Sequence, residues 1–334
     1  MTLIDSAIDT FRRAAELNLE DPIRAGSLLC FPDYGQVVMT GDMHGHRRNF
    51  EKLIKYCQLE STPARHVILH ELIHEKPEFY GAPDRSIELL LDAAKWKAFF
   101  PEQVHFLQSN HELAQLQNHE ITKGGRMVTD DFQRGVADVL QSPRIERVIE
   151  AIDDFIASFP LAARSPNGIF FAHSLPNVSH MDEFDISCVH LPADQLDLSE
   201  GGMVYQMVWG RRHTPALLDK LAHVLDVEFF IVGHQPQDFG YEVLFDRLII
   251  LASDHNHGVF LPLDCRKRFT IDELRPGLGH VDCVRRVYGD HLRSCSRSAA
   301  AECLSAALTW AVRDWEYHLK GVIEPCVTPD FSAA

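Results

Sequence analysis

The sequence predicts an α/β fold. Short β-branched or aromatic runs recur along the chain, each stops on a glycine or a polar residue, and stretches with helical spacing separate them. Residues 5–20 place Ile8, Phe11, Ala15 and Leu17 at helical intervals and predict an N-terminal helix packed on the domain. Residues 36–40, 65–69, 104–107, 168–172 and 228–232 read as buried strands. Residues 113–158 read as helical, most clearly 145–156, and 204–225 as an arginine-bearing segment followed by a helix. Residues 241–245, 247–252 and 258–263 are expected to be consecutive strands of a second sheet. Residues 298–319, rich in Ala, Leu and Trp, predict a further helix, and the tail after Val322 is expected to be loose. There is no internal repeat and no low-complexity tract.

What the five strand ends carry is more specific than the strands themselves. The first delivers Gly41-Asp42-Met43-His44-Gly45, the second His70-Glu71, the third Ser109-Asn110-His111-Glu112, the fourth His173-Ser174 and the fifth Gly233-His234-Gln235. Carboxylate, amide and imidazole groups are the donors of a divalent-metal site. Open α/β sheets collect their ligands beyond the carboxyl ends of strands. A lone Asp-Met-His turn reads equally well as an ordinary turn; five such ends in order point to one convergent site.

In these residues the chain resembles the calcineurin-like metallophosphoesterases, in particular their phosphoprotein phosphatase (serine/threonine phosphatase-like) branch. That family runs GDxHG, GDxxDRG, GNHE, HGG and GH; this chain has GDMHG, HELIH, SNHE, HSL and GHQ in the same order over residues 35–265. Phe159-Pro160-Leu161-Ala162-Ala163 and Trp209-Gly210-Arg211-Arg212 match flanking family segments. The resemblance implies a four-layer sandwich of two mixed β-sheets flanked by helices. It also implies two divalent transition-metal ions, drawn from manganese, iron, zinc and cobalt with manganese first. Asp42, His44 and the bridging Glu71 would hold one ion, and Glu71, Asn110, His173 and His234 the other. His111 would protonate the leaving group. Arg212, in preference to its neighbour Arg211, would bind phosphate together with Asn110.

The chain departs from the family in four places. Glu71 stands where the bridging residue is aspartate, and His74 where the next motif aspartate belongs. Asp84-Arg85-Ser86 resembles the missing DRG displaced by an insertion, which would let Asp84 orient His111 and Arg85 touch phosphate. His173 is followed by Ser174-Leu175 rather than two glycines, and Pro236 replaces the second histidine of the GHxH motif found in other metallophosphoesterases.

Composition narrows the function classes. Against 48 acidic residues stand 32 basic ones, for a formal charge of −16, which argues against a nucleic-acid partner. It also leaves the attraction of anionic substrates to local metal and arginine charge. No apolar stretch approaches membrane-spanning length and the N-terminus lacks a signal pattern, so no membrane partner is expected. The eight cysteines are scattered without a CxxC pair and read as reduced thiols, in keeping with a cytoplasmic location.

The expected organisation is a helical N-terminal segment (1–34), a metallophosphoesterase domain (35–265) with a helical insert near 113–158, and a C-terminal helical extension (266–334). The expected activity is hydrolysis of phosphomonoesters, protein phosphoserine and phosphothreonine among them, by metal-activated hydroxide; the partner is a phosphorylated protein or small molecule. Hydrolysis of dinucleoside polyphosphates would use the same metals, and a metal-binding pseudophosphatase would keep them without turnover. His70-Glu71-Leu72-Ile73-His74 is also a literal HExxH zinc-protease motif, which works only on a helix. Here it follows a strand-like run.

Overall fold

A computed structural model describes residues 2–76, 82–119, 121–123, 126–182, 184–274 and 279–280. In chain order these form α1 (Leu3–Leu19), β1 (Arg24–Ala25), β2 (Leu28–Cys30), β3 (Gln36–Thr40), α2 (Arg47–Cys57) and β4 (Arg65–Leu69). Next come α3 (Ser86–Phe99), β5 (Val104–Phe106), α4 (Asn110–Leu116), a hairpin of β6 (Thr122–Lys123) and β7 (Arg126–Met127), α5 (Val128–Val139) and α6 (Glu146–Ala157). The chain continues through β8 (Ala162–Ser165), β9 (Ile169–Ala172), α7 (Met203–Trp209), α8 (Pro215–Leu225) and β10 (Phe229–Val232). It closes with β11 (Tyr241–Leu244), β12 (Leu248–Leu251), β13 (Val259–Asp264), α9 (Ile271–Leu274) and β14 (Gly279–His280). All of these elements belong to one compact unit, Met1–Asp282. The helix expected at 298–319 and the tail beyond it lie outside the described residues.

Two mixed sheets result. One has the order β1-β2-β8-β9-β10-β12-β11, the other β14-β13-β3-β4-β5. Strand alternation explains why the sheets stack. In β10, Phe229 and Ile231 point into the core between the sheets while Phe230 and Val232 point to the outer helices. In β3, Val37 and Met39 face the inter-sheet core and Val38 faces the opposite helical layer. Strands apolar on both faces must be covered on both, and four layers are the outcome. Helices α1, α2, α3, α5 and α6 cover the five-stranded sheet; α7 and α8 cover the seven-stranded one.

The three apolar runs at 241–263 are not neighbours in one sheet. β11 and β12 pair antiparallel in the seven-stranded sheet, but β13 crosses over and pairs antiparallel with β3. The crossing occurs at Ala252-Ser253, where Asp42 makes a parallel bridge with Ala252 and its carbonyl accepts from the Ser253 N–H at 3.0 Å. The Gly41 N–H donates to Ser253 Oγ at 2.9 Å. A Cβ at Gly41 would stand 2.3 Å from the Leu251 carbonyl, so only glycine permits this approach. The two sheets are therefore joined at the carboxyl end of β3.

The first 34 residues are more than a helical segment. A Thr2–Asp5 capping box starts α1, whose Phe11 is fully buried against Phe155 with ring centroids 5.7 Å apart. β1 and β2 then extend the seven-stranded sheet, β2 running parallel to β8. Between them and α1, Asp21 enters the core. Its Oδ2 accepts from Lys97 Nζ at 3.0 Å and from His105 Nδ1 at 2.9 Å, and His66 Nδ1 lies 3.1 Å from His105 Nε2. Lys97 is 0% exposed. Burial alone would raise the Asp21 carboxyl, but His105 and Lys97 together hold it well below the usual carboxylate range.

Removing one member of such a pair strands a charge in the core. Lys97→Ala is expected to cost about 3–5 kcal/mol in denaturant unfolding; an unchanged midpoint would show the network to be dispensable. Burial also pushes His66 down from 6.5 to about 4. Below pH 6.5 the unfolded chain takes up a proton that the folded one refuses, so this group's contribution falls by about 3 kcal/mol between pH 6.5 and 4. Urea melts across that window should lose stability as the pH drops, and His66→Asn should flatten the slope. An equal slope in the variant would remove His66 from the account.

Candidate metal centre

The site is assembled from turns that hold one another. After β3 the chain turns through Asp42, Met43 and His44, and the amides of Met43 and His44 both donate to the Glu71 carbonyl, at 2.9 and 2.8 Å. The Gly45 amide donates to the Leu72 carbonyl at 2.8 Å. The turn after β3 is thus fastened to the turn after β4. Glu112 fixes the second turn from below: fully buried, its Oε1 accepts from the Leu72 N–H at 2.7 Å, while Oε2 accepts from the Ser109 hydroxyl. His44, Glu71, His74 and His234 all have positive φ, at 40°, 48°, 63° and 68°. A non-glycine residue there stores about 1–3 kcal/mol, and such strain persists only where the surroundings over-determine it.

Within this frame the Glu71 carboxylate lies between two groups of donors. Its Oε1 is 3.2 Å from His44 Nε2 and 3.7 Å from His111 Nε2. Its Oε2 is 3.1 Å from His173 Nε2. His173 Nε2 is in turn 2.7 Å from Asn110 Oδ1 and 3.1 Å from His234 Nδ1, and the last two are 2.9 Å apart. Donor atoms around an ion with ~2.1 Å bonds stand roughly 3 Å apart. Glu71, Asn110, His173 and His234 therefore fit a divalent ion in both spacing and donor type. Asp42 falls with His70 and His173, and His44 with Glu71 and His111, as two buried clusters able to hold metal. The Asp42 Oδ1 also accepts from the His234 N–H at 2.8 Å, tying the ends of β3 and β10 together.

Burial keeps the imidazoles neutral, the form that donates to a metal. It lowers His173 well below its ordinary value, helped by His234 and His70. It pushes His234 down to about 3, with the Arg211 charge adding to the effect, and His70 down to about 4.

Some residues expected at the site are placed elsewhere. Arg211 reaches it, with its Nε 2.9 Å from His234 Nε2, although Arg211 and Arg212 are both exposed residues. Both backbone amides donate to Asn177 Oδ1 at 2.8 Å. Asp84 accepts from the amides of Ser86 and Glu75, at 2.8 and 3.2 Å, so its carboxylate serves the start of α3. Arg85 pairs with Asp138 and Glu88 on the surface of α3 and α5. The ring beside His111 is that of His74, with the two Nδ1 atoms 2.7 Å apart.

His70, His74 and Glu112 are site residues that sequence reasoning missed. Their only signals were the HELIH string, which invites a protease reading, and the last letter of SNHE. The structure removes that protease reading. Residues 70–76 contain no helix, and His70 pairs with His173 while His74 pairs with His111, so the two rings do not share a face.

Comparison with known proteins agrees with the architecture. No protein-family model and no curated protein sequence matches the chain. Among solved structures, a protein serine/threonine phosphatase from Saccharomyces cerevisiae with similarity to human phosphatase PP5 superposes with a TM-score of 0.58. It is 14% identical, over 78% of this chain and 82% of the yeast one. A cold-active protein-tyrosine phosphatase of a psychrophilic Shewanella species superposes with a TM-score of 0.52 at 15% identity, over 77% of this chain and 82% of its own. At such identities the likeness is one of fold: the chain shares with these phosphatases an α/β architecture of two mixed sheets flanked by helices.

Proposed function

We propose that the chain is a dinuclear metal-dependent phosphoesterase that hydrolyses phosphomonoesters. The observation that carries this reading is the Glu71 carboxylate, with one oxygen 3.2 Å from His44 Nε2 and the other 3.1 Å from His173 Nε2. Glu71 would be the ligand shared between two ions. Asp42 and His44 complete one donor set; Asn110, His173 and His234 complete the other. When bound, two divalent ions supply Lewis acidity toward a phosphoryl oxygen and acidify a water at neutral pH.

The remaining work falls to side chains. Asn110 and Arg211 would bind the phosphoryl oxygens, the guanidinium offering a planar pair of donors. His111 stands beside Glu71 with its other nitrogen against His74, and can pass a proton to the departing oxygen. His74 thus takes the orienting place expected of Asp84. Manganese, iron, zinc and cobalt all suit mixed oxygen and imidazole donors, manganese being the first to test. No helix among the described residues is long and apolar enough to cross a membrane. A panel of phosphoserine and phosphothreonine peptides, small phosphomonoesters and dinucleoside polyphosphates, assayed with each metal, tests the reading. Metal-replete protein inert on all of them would instead be a pseudophosphatase.

Metal content tests the ligands directly. Asp42→Asn and Glu71→Gln are expected to lose metal, whereas Glu71→Asp, which keeps the bridging charge, and His74→Ala should retain it. Elemental analysis of folded variants decides this, and a metal-replete Glu71→Gln would rule out the bridging role. His111→Ala should retain metal but slow the hydrolysis of alkyl phosphates by about 10²–10⁴-fold. The loss should shrink for p-nitrophenyl phosphate, whose leaving group needs no proton; a uniform loss would make His111 a binding residue.

A further inference from the structure

We propose that Asn177 is a positioning residue that fixes the turn at residues 210–213 so that Arg211 meets the metal centre. Between the end of α7 at Trp209 and the start of α8 at Pro215 the backbone is irregular, so its polar groups have no ladder to join. The segment that follows β9 supplies partners instead. Asn177 Oδ1 accepts from the amides of Arg211 and Arg212, both at 2.8 Å, which occupies the two lone pairs of that oxygen. The Val178 N–H donates to the Arg212 carbonyl at 2.9 Å, and the Ser174 hydroxyl donates to the Gly210 carbonyl. His213 Nε2 lies 3.2 Å from the Leu175 carbonyl. A Cβ at Gly210 would stand 1.7 Å from that same Leu175 oxygen, so only glycine lets the two segments come this close.

The clasp begins at Ser174, directly after the candidate ligand His173, and ends at Arg211, whose Nε lies 2.9 Å from Nε2 of the candidate ligand His234. Ser174 stands where the family has glycine, which has no hydroxyl to give to Gly210, so this departure has a use. Asn177 lies outside every motif through which the chain resembles the family, and nothing in the resemblance assigns it a role. The need for it follows from Arg211. An exposed arginine has many rotamers, and holding it against one oxygen costs that freedom. With the backbone at 211 and 212 fixed by a single acceptor, only the side-chain torsions remain to be ordered when an anion binds. A leucine at 177 has similar bulk but leaves two adjacent amides without that acceptor, and the base of the arginine is then free to move.

The inference rests on the phosphate-binding reading of Arg211 for its purpose but not for its first test. Arginine Nε–H relaxation NMR on the metal-free, full-length protein should show the Arg211 side chain ordered in the wild type and in Asn177→Asp, which keeps an acceptor oxygen. In Asn177→Leu it should be mobile; Asn177→Ser, too short to serve both amides, replaces Leu if that variant does not fold. An equally ordered Arg211 in the variants without the acceptor overturns the proposal whether or not the protein binds metal. Manganese-loaded protein is then titrated calorimetrically with inorganic phosphate. Asn177→Leu is expected to keep its metal and bind phosphate about 10-fold more weakly, the cost of immobilising one rotamer-rich side chain. In an Arg211→Ala background the same change should have no further effect, because Asn177 acts through that arginine. An equal loss in both backgrounds marks a merely structural role and overturns the positioning one. Wild-type protein that takes up manganese but no phosphate refutes the phosphoesterase reading and leaves the result on arginine mobility standing.

Discussion

Everything at the site depends on how closely the two sheets approach at the carboxyl end of β3. There the Asp42 carbonyl accepts from Ser253, Gly41 donates to the Ser253 hydroxyl, and that hydroxyl donates to Val259 O at 2.6 Å. β3, β4 and β5 run parallel in one sheet, and β9 and β10 in the other, so joining the sheets at this point brings five strand ends to one edge. Each end contributes one or two short side chains. His173 and His234 come from one sheet and Asp42, His44, Glu71 and Asn110 from the other, so the two groups meet only because the sheets are joined here.

Short ligands leave the backbone little latitude, and the left-handed residues show where it was used. His44, Glu71, His74 and His234 all have positive φ. The hydrogen bonds that hold them run between turns: Met43 and His44 to Glu71, Leu72 to Glu112, His234 to Asp42. A carboxylate at 112 therefore bears on the turn that carries Glu71. Metal binding would add to a frame that is rigid already, which favours affinity because little ordering remains to be done.

What could be read from the sequence was whatever lies close along the chain to an apolar run. Asp42, His44, Glu71, Asn110, His173 and His234 each follow a buried strand within four residues, so period and punctuation located them. The crossing of β13 was hidden because its run suits either sheet; only the Asp42–Ser253 contact decides. Arg211 and Arg212 are equivalent in composition and share Asn177 Oδ1 as the acceptor of both amides; only the contact of Arg211 with His234 tells them apart. His70 and His74 were obscured by a motif that has meaning on a helix and none on this turn. The pairing of His74 with His111 needs two left-handed residues in five, which no local propensity predicts.

The Asp21–Lys97–His105 cluster bears on how much of the chain the centre requires. His105 lies in β5, four residues before Ser109 and five before Asn110, and Lys97 lies near the end of the helix that leads into that strand. A chain beginning at residue 25 would keep every metal donor and every strand that bears one. It would nonetheless take from the buried Lys97 ammonium the carboxylate that it touches, and leave the apolar bed of α1 uncovered on α3 and α6. The first two dozen residues are thus as much a part of the site's foundation as the sheet itself.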